Sequence, residues 1–225
     1  MIQLLLDTLF PPKCLGCGIR GTPLCAECRR DLPYLPDGVC QRCASNRGAR
    51  GVCRGCRQLS PTLSSIRAAF VYEGAARNAV LTLKFRSGRY LAPLMGELLG
   101  EVIATRPLEA DVIVPVPLTR HRLRSRGFNQ ATLLAEHVAA TLNATIASEV
   151  LSRQERPAQQ TLGRHERLIN LERAITCPQP DEVLGRRVLI VDDVVTTGAT
   201  ASACADALAE AGARRISVLA FARDL

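Results

Sequence analysis

The chain has 225 residues, 47% hydrophobic and 22% charged, enough apolar material for one or two packed domains and too much for a disordered chain. No apolar run approaches the ~20 residues that cross a bilayer, and with 4% aromatics and no Trp the composition does not supply a surface that stacks many bases. The formal charge of +8 is basic but too modest to establish a nucleic-acid partner.

Ile2 to Phe10 is short, contains Asp7 and lacks a basic start and a small-residue cleavage site, so it reads poorly as a signal peptide. The expected compartment is a reducing cytoplasm, where clustered cysteines mean metal before disulfides. Eight of the ten cysteines then fall in four C-x-x-C pairs: Cys14/Cys17, Cys25/Cys28, Cys40/Cys43 and Cys53/Cys56. Zinc takes four ligands in a tetrahedron, and thiolates suit it. Each pair turns two sulfurs toward one metal, so the four pairs predict two structural Zn2+ sites. Consecutive pairing closes loops of seven and nine residues; an interleaved, cross-braced scheme satisfies the same count. A redox dithiol would need a βαβ unit around it, which is missing here, whereas an iron–sulfur cluster would use the same ligands. Once eight thiolates and two dications are counted, the +8 falls to a mildly basic +4. Arg29, Arg30, Arg42, Arg47, Arg50, Arg54 and Arg57 either touch nucleic acid or simply solvate a small module.

Ile66 to Tyr72 predicts a strand and Gly74 to Lys84 a helix. Tyr90 to Thr105 predicts a stronger helix, with Leu91, Leu94, Met95, Leu98, Leu99 and Val102 on one face. Lys84 and Arg86, at the end of the first helix, face an acceptor or solvent. Asp111 to Val116 predicts a short buried strand closed by Pro115 and Pro117. Arg120, Arg122, Arg124 and Arg126 alternate through what reads as an extended loop, which would put four cations on one face and Leu123 on the other. Gly127 reads as a turn and Asn129 as the N-cap of a helix from Gln130 to Leu142. His121 is a marginal acid–base candidate, and His137, on a helix face, reads as structural. Residues 152 to 172 are polar and long for a structureless connection, which makes them functional or disordered. Val188 to Val191 predicts a buried strand, Ala201 to Ala211 a helix ended by Gly212, and Ile216 to Phe221 a last strand. Strands alternating with helices predict an α/β domain with a mainly parallel sheet. The chain thus divides into a double four-cysteine zinc-ribbon module over 1–62 and an α/β domain over 63–225.

The most specific segment is V-L-I-V-D-D-V-V-T-T-G-A-T, from Val188 to Thr200. Two carboxylates, Asp192 and Asp193, sit at the carboxyl end of a strand, where open α/β sheets bind ligands. The T-T-G-A-T loop opens a helix, so backbone N–H groups and hydroxyls can wrap a phosphate, and Gly198 lets the backbone approach closely. Carboxylates beside a phosphate cradle repel it unless they face another part of the ligand. Vicinal sugar hydroxyls, which donate to carboxylates, meet that demand.

This segment resembles the thirteen-residue signature of type I phosphoribosyltransferases at every position. The resemblance implies that Asp192 and Asp193 hold the ribose hydroxyls of phosphoribosyl pyrophosphate (PRPP), bound with Mg2+. It implies that Thr196, Thr197, Gly198, Ala199 and Thr200 hold the 5-phosphate. With V-P-V-P-L at 114–118 and the run on to Gln130, L-K-F-R-S-G at 83–88, and Q-Q-T-L and R-L-I-N within 159–170, nearly the whole chain resembles the ComF (competence protein F) family. That family joins an N-terminal zinc module to a type I phosphoribosyltransferase domain, a Rossmann-type parallel sheet flanked by helices. It commonly has Thr where Arg156 stands. In the family fold the loop after the first core strand meets pyrophosphate, which a guanidinium fork binds bidentately. The resemblance therefore assigns Arg120, Arg122 and Arg124 to PRPP, and Arg120 and Arg126 to catalysis with the two acids. A flexible loop at about 152–172 would close over the site, with Arg153, Gln159, Arg167 and Asn170 as contacts. The implied function is phosphoribosyl transfer to an unidentified acceptor with release of pyrophosphate, serving DNA uptake in competence. The alternative is a non-catalytic PRPP sensor that binds single-stranded DNA through its zinc module and works with competence or helicase proteins.

Overall fold

A computed structural model describes residues 11–45, 53, 56–57, 59–155 and 174–225. Its strands are β1 (Leu63–Val71), β2 (Val112–Pro115), β3 (Thr145–Ile146), β4 (Ser152–Arg153), β5 (Ile175–Thr176), β6 (Arg187–Val195) and β7 (Arg215–Arg223). Its helices are α1 (Ala26–Arg30), α2 (Gly74–Leu83), α3 (Ala92–Thr105), α4 (Arg120–Arg126), α5 (Gln130–Leu142) and α6 (Ala199–Glu210). Five strands form a parallel sheet in the order β1-β7-β6-β2-β3, and β4 and β5 pair as a separate antiparallel ribbon. Among the described residues no helix is long and apolar enough to cross a membrane.

The apolar run of β6 is buried on both faces, as a central parallel strand requires. Successive side chains point to opposite faces. Leu189 and Val191 join a core with Leu83, Leu99 and Leu134 of α2, α3 and α5. Val188 and Ile190 join a second core with Cys204 and Leu208 of α6. That second core also contains Cys40, Cys43, Cys53, Cys56 and Leu59. A cysteine centre thus does part of the covering that a helix does elsewhere. The expected division near residue 62 is crossed by these contacts and by Arg42, whose guanidinium donates to the carbonyls of Cys56 (3.1 Å), Ser60 (2.7 Å) and Leu63 (3.4 Å). Residues 33–35 lie along the outer edge of β1: Leu35 N–H donates to the Ala69 carbonyl, and Val71 N–H to that of Pro33. An otherwise open strand edge is covered there.

Two expectations change. The strand expected over Val188–Val191 runs on to Val195, because β7 keeps pairing with it as far as Val195↔Arg223. The expected extended loop at 120–126 is instead the helix α4. Thr119 caps it by accepting from Arg122 N–H at 3.4 Å, and Gly127, at φ +81°, closes it with its N–H on the Leu123 carbonyl. A Thr N-cap and a left-handed Gly are helix-bounding signals, and they outweigh the alternating pattern. Asn129 caps α5 as expected, accepting from Ala131 N–H at 3.0 Å. His137 packs α5 on α3: a Cβ at Gly96 would come 2.3 Å from its ring, which supports the structural reading of that histidine.

Candidate functional site

The chain leaves β2 toward β3 on one side and leaves β6 toward β7 on the other, so the strand order reverses between β2 and β6. That is where open α/β sheets bind ligands. β2 and β6 stay paired only as far as Pro115↔Val191: after Val116 N–H donates to the Val191 carbonyl, the Val116 carbonyl accepts from Asn129 Nδ2 and Asp193 N–H donates to Asp192 Oδ1 instead of continuing the ladder. Asp192 and Asp193 come just after this point on β6. Their open side faces a cleft of about 170 Å³ lined by Lys84, Arg122, Arg126, Asn129, Gln130, Arg153, Asp192, Asp193 and Thr200, among others.

Charges of both signs are concentrated there. Lys84 Nζ lies 3.7 Å from Asp193 Oδ2, and Asp192 Oδ1 accepts from Asp193 N–H at 2.8 Å. Burial, reinforced by the Asp193 carboxylate, pushes the Asp192 carboxyl well above the usual carboxylate range, with Lys84 opposing. Arg153, on β4, is held below the ordinary arginine value by burial and by nearby Arg122. Arg126 Nη1 donates to Gln130 Oε1 at 2.9 Å, while Gln130 Nε2 is buried without a partner. An unused donor in such a cleft suits a ligand oxygen.

The helical form of α4 sorts its four arginines. Arg122 and Arg126, four residues apart, share a face and line the cleft; Arg120 and Arg124 are exposed and do not. Arg153 joins them through the bridge Thr119↔Arg153. Glu155 accepts from His121 N–H at the start of α4. Gln159, Arg167, Asn170 and Arg156 lie outside the described residues, as do Arg47, Arg50, Arg54 and the side chain of Arg86.

Thr200 reaches the cleft, and Thr196 and Thr197 are exposed. Gly198 has φ +84° and begins α6 with no side-chain cap; Ala199 N–H donates to Thr197 Oγ1 at 3.3 Å. An uncapped first turn has N–H groups to offer an anion. Sequence reading missed Arg223, the buried last residue of β7. Its Nη1 donates to the carbonyls of Val195, at 2.9 Å, and Thr196, where β6 becomes the loop. The only signal was an arginine ending an apolar strand.

The eight paired cysteines form two clusters, Cys14/Cys17/Cys25/Cys28 and Cys40/Cys43/Cys53/Cys56, each with its ligand atoms within 4.8 Å of one another. This is the consecutive scheme, not the interleaved one. Sulfur separations include 3.8 Å for Cys17–Cys25, 3.3 Å for Cys40–Cys56, 3.6 Å for Cys43–Cys53 and 3.4 Å for Cys53–Cys56. Thiolates about 2.3 Å from a tetrahedral zinc stand about 3.8 Å apart, whereas a disulfide needs about 2.05 Å. Both donor sets fit zinc. Burial opposes ionisation of Cys14 and Cys40, yet backbone N–H groups outweigh it and hold each thiol down to about 6. Arg29 pairs with Glu97, at 2.7 Å, and with Glu101.

Residues 5–57 match the double zinc ribbon domain, and residues 93–224 match the phosphoribosyl transferase domain. The chain is 33% identical over 210 residues to the DNA utilization protein YhgH of Salmonella typhi, covering 90% of this chain and 91% of that one. It is 28% identical over 205 residues to the competence protein ComFC of Bacillus subtilis (strain 168), covering 88% and 82%. Among solved structures, the allosteric regulatory enzyme of purine biosynthesis aligns at 21% identity with a TM-score of 0.42, over 58% of this chain and 26% of that one.

Proposed function

The chain belongs to the ComF family, a double zinc ribbon followed by a phosphoribosyl transferase domain, and from that premise we propose that its cleft binds PRPP and transfers the phosphoribosyl group to an acceptor, releasing pyrophosphate. One observation carries this reading: two carboxylates on β6 share a cleft with Arg122, Arg126, Arg153, Lys84 and the Thr200 end of the loop. A ligand with adjacent hydroxyls and separated phosphates matches that arrangement.

In this reading the ribose 2- and 3-hydroxyls donate to Asp192 and Asp193. The 5-phosphate takes the Thr196–Thr200 N–H groups and hydroxyls, and the pyrophosphate takes Arg122, Arg126 and Arg153. The bond from the anomeric carbon to pyrophosphate oxygen breaks while the acceptor's lone pair forms the new bond. The acceptor proton leaves to solvent, and the guanidinium groups hold the departing charge. Asp192 and Asp193 would hold Mg2+ bound with PRPP, and the ion would offset charge on the phosphates. Gln130 Nε2 offers a further donor. Arg120 and Arg124, on the other side of α4, have no part in the cleft, while Gln159, Arg167 and Asn170 remain assigned to a loop that closes over it. The names of the relatives, a DNA utilization protein and a competence protein, support a role in DNA uptake, and cysteine centres with no disulfide among the described residues suit a reducing cytoplasm.

The test is calorimetric titration of the zinc-loaded chain with PRPP and Mg2+, beside a pyrophosphate-release assay with nucleobase and amine acceptors. Saturable binding that weakens in Asp192→Asn/Asp193→Asn supports the reading, and absence of binding overturns it. Binding without release for any acceptor moves the function to PRPP sensing beside single-stranded DNA.

A further inference from the structure

Two sets of observations link the second cysteine centre to the loop assigned to phosphate. The first is Arg223, which is 6% exposed. Nη1 holds the Val195 and Thr196 carbonyls at the mouth of the loop, and Nε is buried with no hydrogen-bond partner among the described residues. Cys43 and Cys53 of the second centre, with Asp224, lie near enough to this guanidinium to act on its charge. A neutral thiol is a poor acceptor, whereas a metal-bound thiolate carries the negative charge that a buried guanidinium needs beside it.

The second set starts at the turn leaving Cys56. Leu59 N–H donates to the Cys56 carbonyl at 3.1 Å, and the Leu59 side chain closes on the loop glycine: a Cβ at Gly198 would stand 2.6 Å from Leu59 Cδ2. Ser60 N–H then donates to Ser202 Oγ at 3.1 Å, and Thr62 Oγ1 to Asp206 Oδ1 at 2.9 Å. Ser202 and Asp206 belong to α6, whose first turn continues directly from the loop. The first centre has no such contacts among the described residues. Its neighbours are Asn78, which donates to the Leu15 carbonyl at 2.8 Å, and Glu97 and Glu101, which pair with Arg29, on helices covering the opposite face of the sheet.

We propose that the second cysteine centre and the Thr196–Thr200 loop form one coupled unit with Arg223 as the positioning residue between them, so that zinc held by Cys40, Cys43, Cys53 and Cys56 sets the loop for phosphate and a bound phosphate tightens the hold on that zinc. Coupling of this kind is reciprocal by linkage. The proposal rests on the reading of the loop as a phosphate site, and the first centre serves as the internal control.

The experiment uses the full zinc-loaded chain and a colorimetric chelator. Ribose 5-phosphate is the probe, because it carries the phosphate and ribose but no pyrophosphate to sequester zinc. One equivalent of zinc should leave at the same rate with or without the sugar phosphate, and the other should slow by about tenfold. Hydrogen exchange on the cysteine-bearing peptides identifies which centre has emptied. Without any ligand, emptying the second centre should raise amide exchange across residues 195–202, and emptying the first should not. Arg223→Met should keep both zinc ions and weaken PRPP binding by about tenfold, with Arg223→Lys recovering part of the loss. Sugar phosphate that binds while both zinc ions leave at unchanged rates overturns the coupling, as does wild-type PRPP affinity in a folded Arg223→Met. Failure of PRPP and ribose 5-phosphate to bind, with loop exchange still following the second centre, overturns the phosphate reading and leaves the link from centre to loop standing.

Discussion

The two cysteine centres are built from the same C-x-x-C pairs but sit in different surroundings. In the first, Cys14 is buried, Cys17 is exposed, and Cys25 and Cys28 are half-buried; in the second, all four are buried. The first centre is held on α2 and α3 by a carbonyl contact, an exposed ion-pair cluster and the half-buried Leu15 and Leu24, which pack against the core on that face. The second is part of the hydrophobic core on the face that also carries α6. One motif can therefore provide a surface module or a piece of the core, depending on what packs against it, because ligand geometry is set within a few bonds and burial by the rest of the chain.

The largest effect should come from breaking one centre at a time. A structural zinc contributes about 10–16 kcal/mol in small fingers, comparable to the whole stability of a typical domain, about 5–15 kcal/mol. Cys56→Ser should abolish the cooperative melting of the sheet in calorimetry, whereas Cys17→Ser should lose its own zinc and leave that transition within a few degrees of wild type. Equal losses in the two variants would erase the distinction.

Ligand binding gives the next contrast. Asp192→Asn with Asp193→Asn removes two charged hydrogen bonds, each worth about 1.5–3 kcal/mol, so PRPP affinity should fall at least about tenfold while Cys17→Ser leaves it unchanged. The acids also make a pH prediction. Because Asp192 is raised in the fold, the folded chain binds more protons than the unfolded one above about pH 3.9. Its contribution to stability is present at low pH and lost as pH rises through the raised value. Asp192→Asn should therefore raise the melting temperature of the ligand-free chain at neutral pH, roughly 2–4 °C for each kcal/mol recovered, and flatten its pH dependence. PRPP affinity should rise with pH over the same window, since the ribose hydroxyls need ionised acceptors. A fall in melting temperature for Asp192→Asn would contradict the burial of that charge.

Smaller effects separate neighbours on one helix. Arg122→Ala or Arg126→Ala should each weaken pyrophosphate binding about tenfold, and Arg120→Ala or Arg124→Ala by less than about twofold, as read by competition with PRPP. Equal effects would return α4 to an extended loop. The smallest effect belongs to the first centre. Arg29 is already paired with two carboxylates, and exposed pairs contribute under about 1 kcal/mol, so Arg29→Ala should lower the melting temperature by only a few degrees. It should also leave the salt dependence of any DNA binding unchanged, where a free phosphate contact would alter the slope by about 0.7.

Much of this was legible beforehand. The cysteine spacing indicated two four-thiolate sites, the V-L-I-V run indicated a buried strand carrying two acids, although that strand runs past them to Val195, and Asn129 marked a helix start. The α4 helix was missed although Thr119 and Gly127 bracket it, because four arginines in alternation suggest an extended segment when the side chains alone are considered. Arg223 was missed because nothing local distinguishes an arginine that ends a strand in solvent from one that ends it against two carbonyls.

By itself, the sequence determined the chemistry of each short element: four sulfurs per metal, two carboxylates following a buried apolar run, and a glycine where the loop needs close backbone approach. These depend on backbone geometry over a few residues. Only the tertiary structure decided which two of the four arginines face the acids, which cysteine centre enters the core, and that this centre meets the loop through Leu59 and Arg223. Those outcomes depend on contacts between segments far apart in the chain, Leu59 with Gly198, Ser60 with Ser202 and Arg223 with the Val195 carbonyl, which exist only once α6 and β7 have packed onto the sheet.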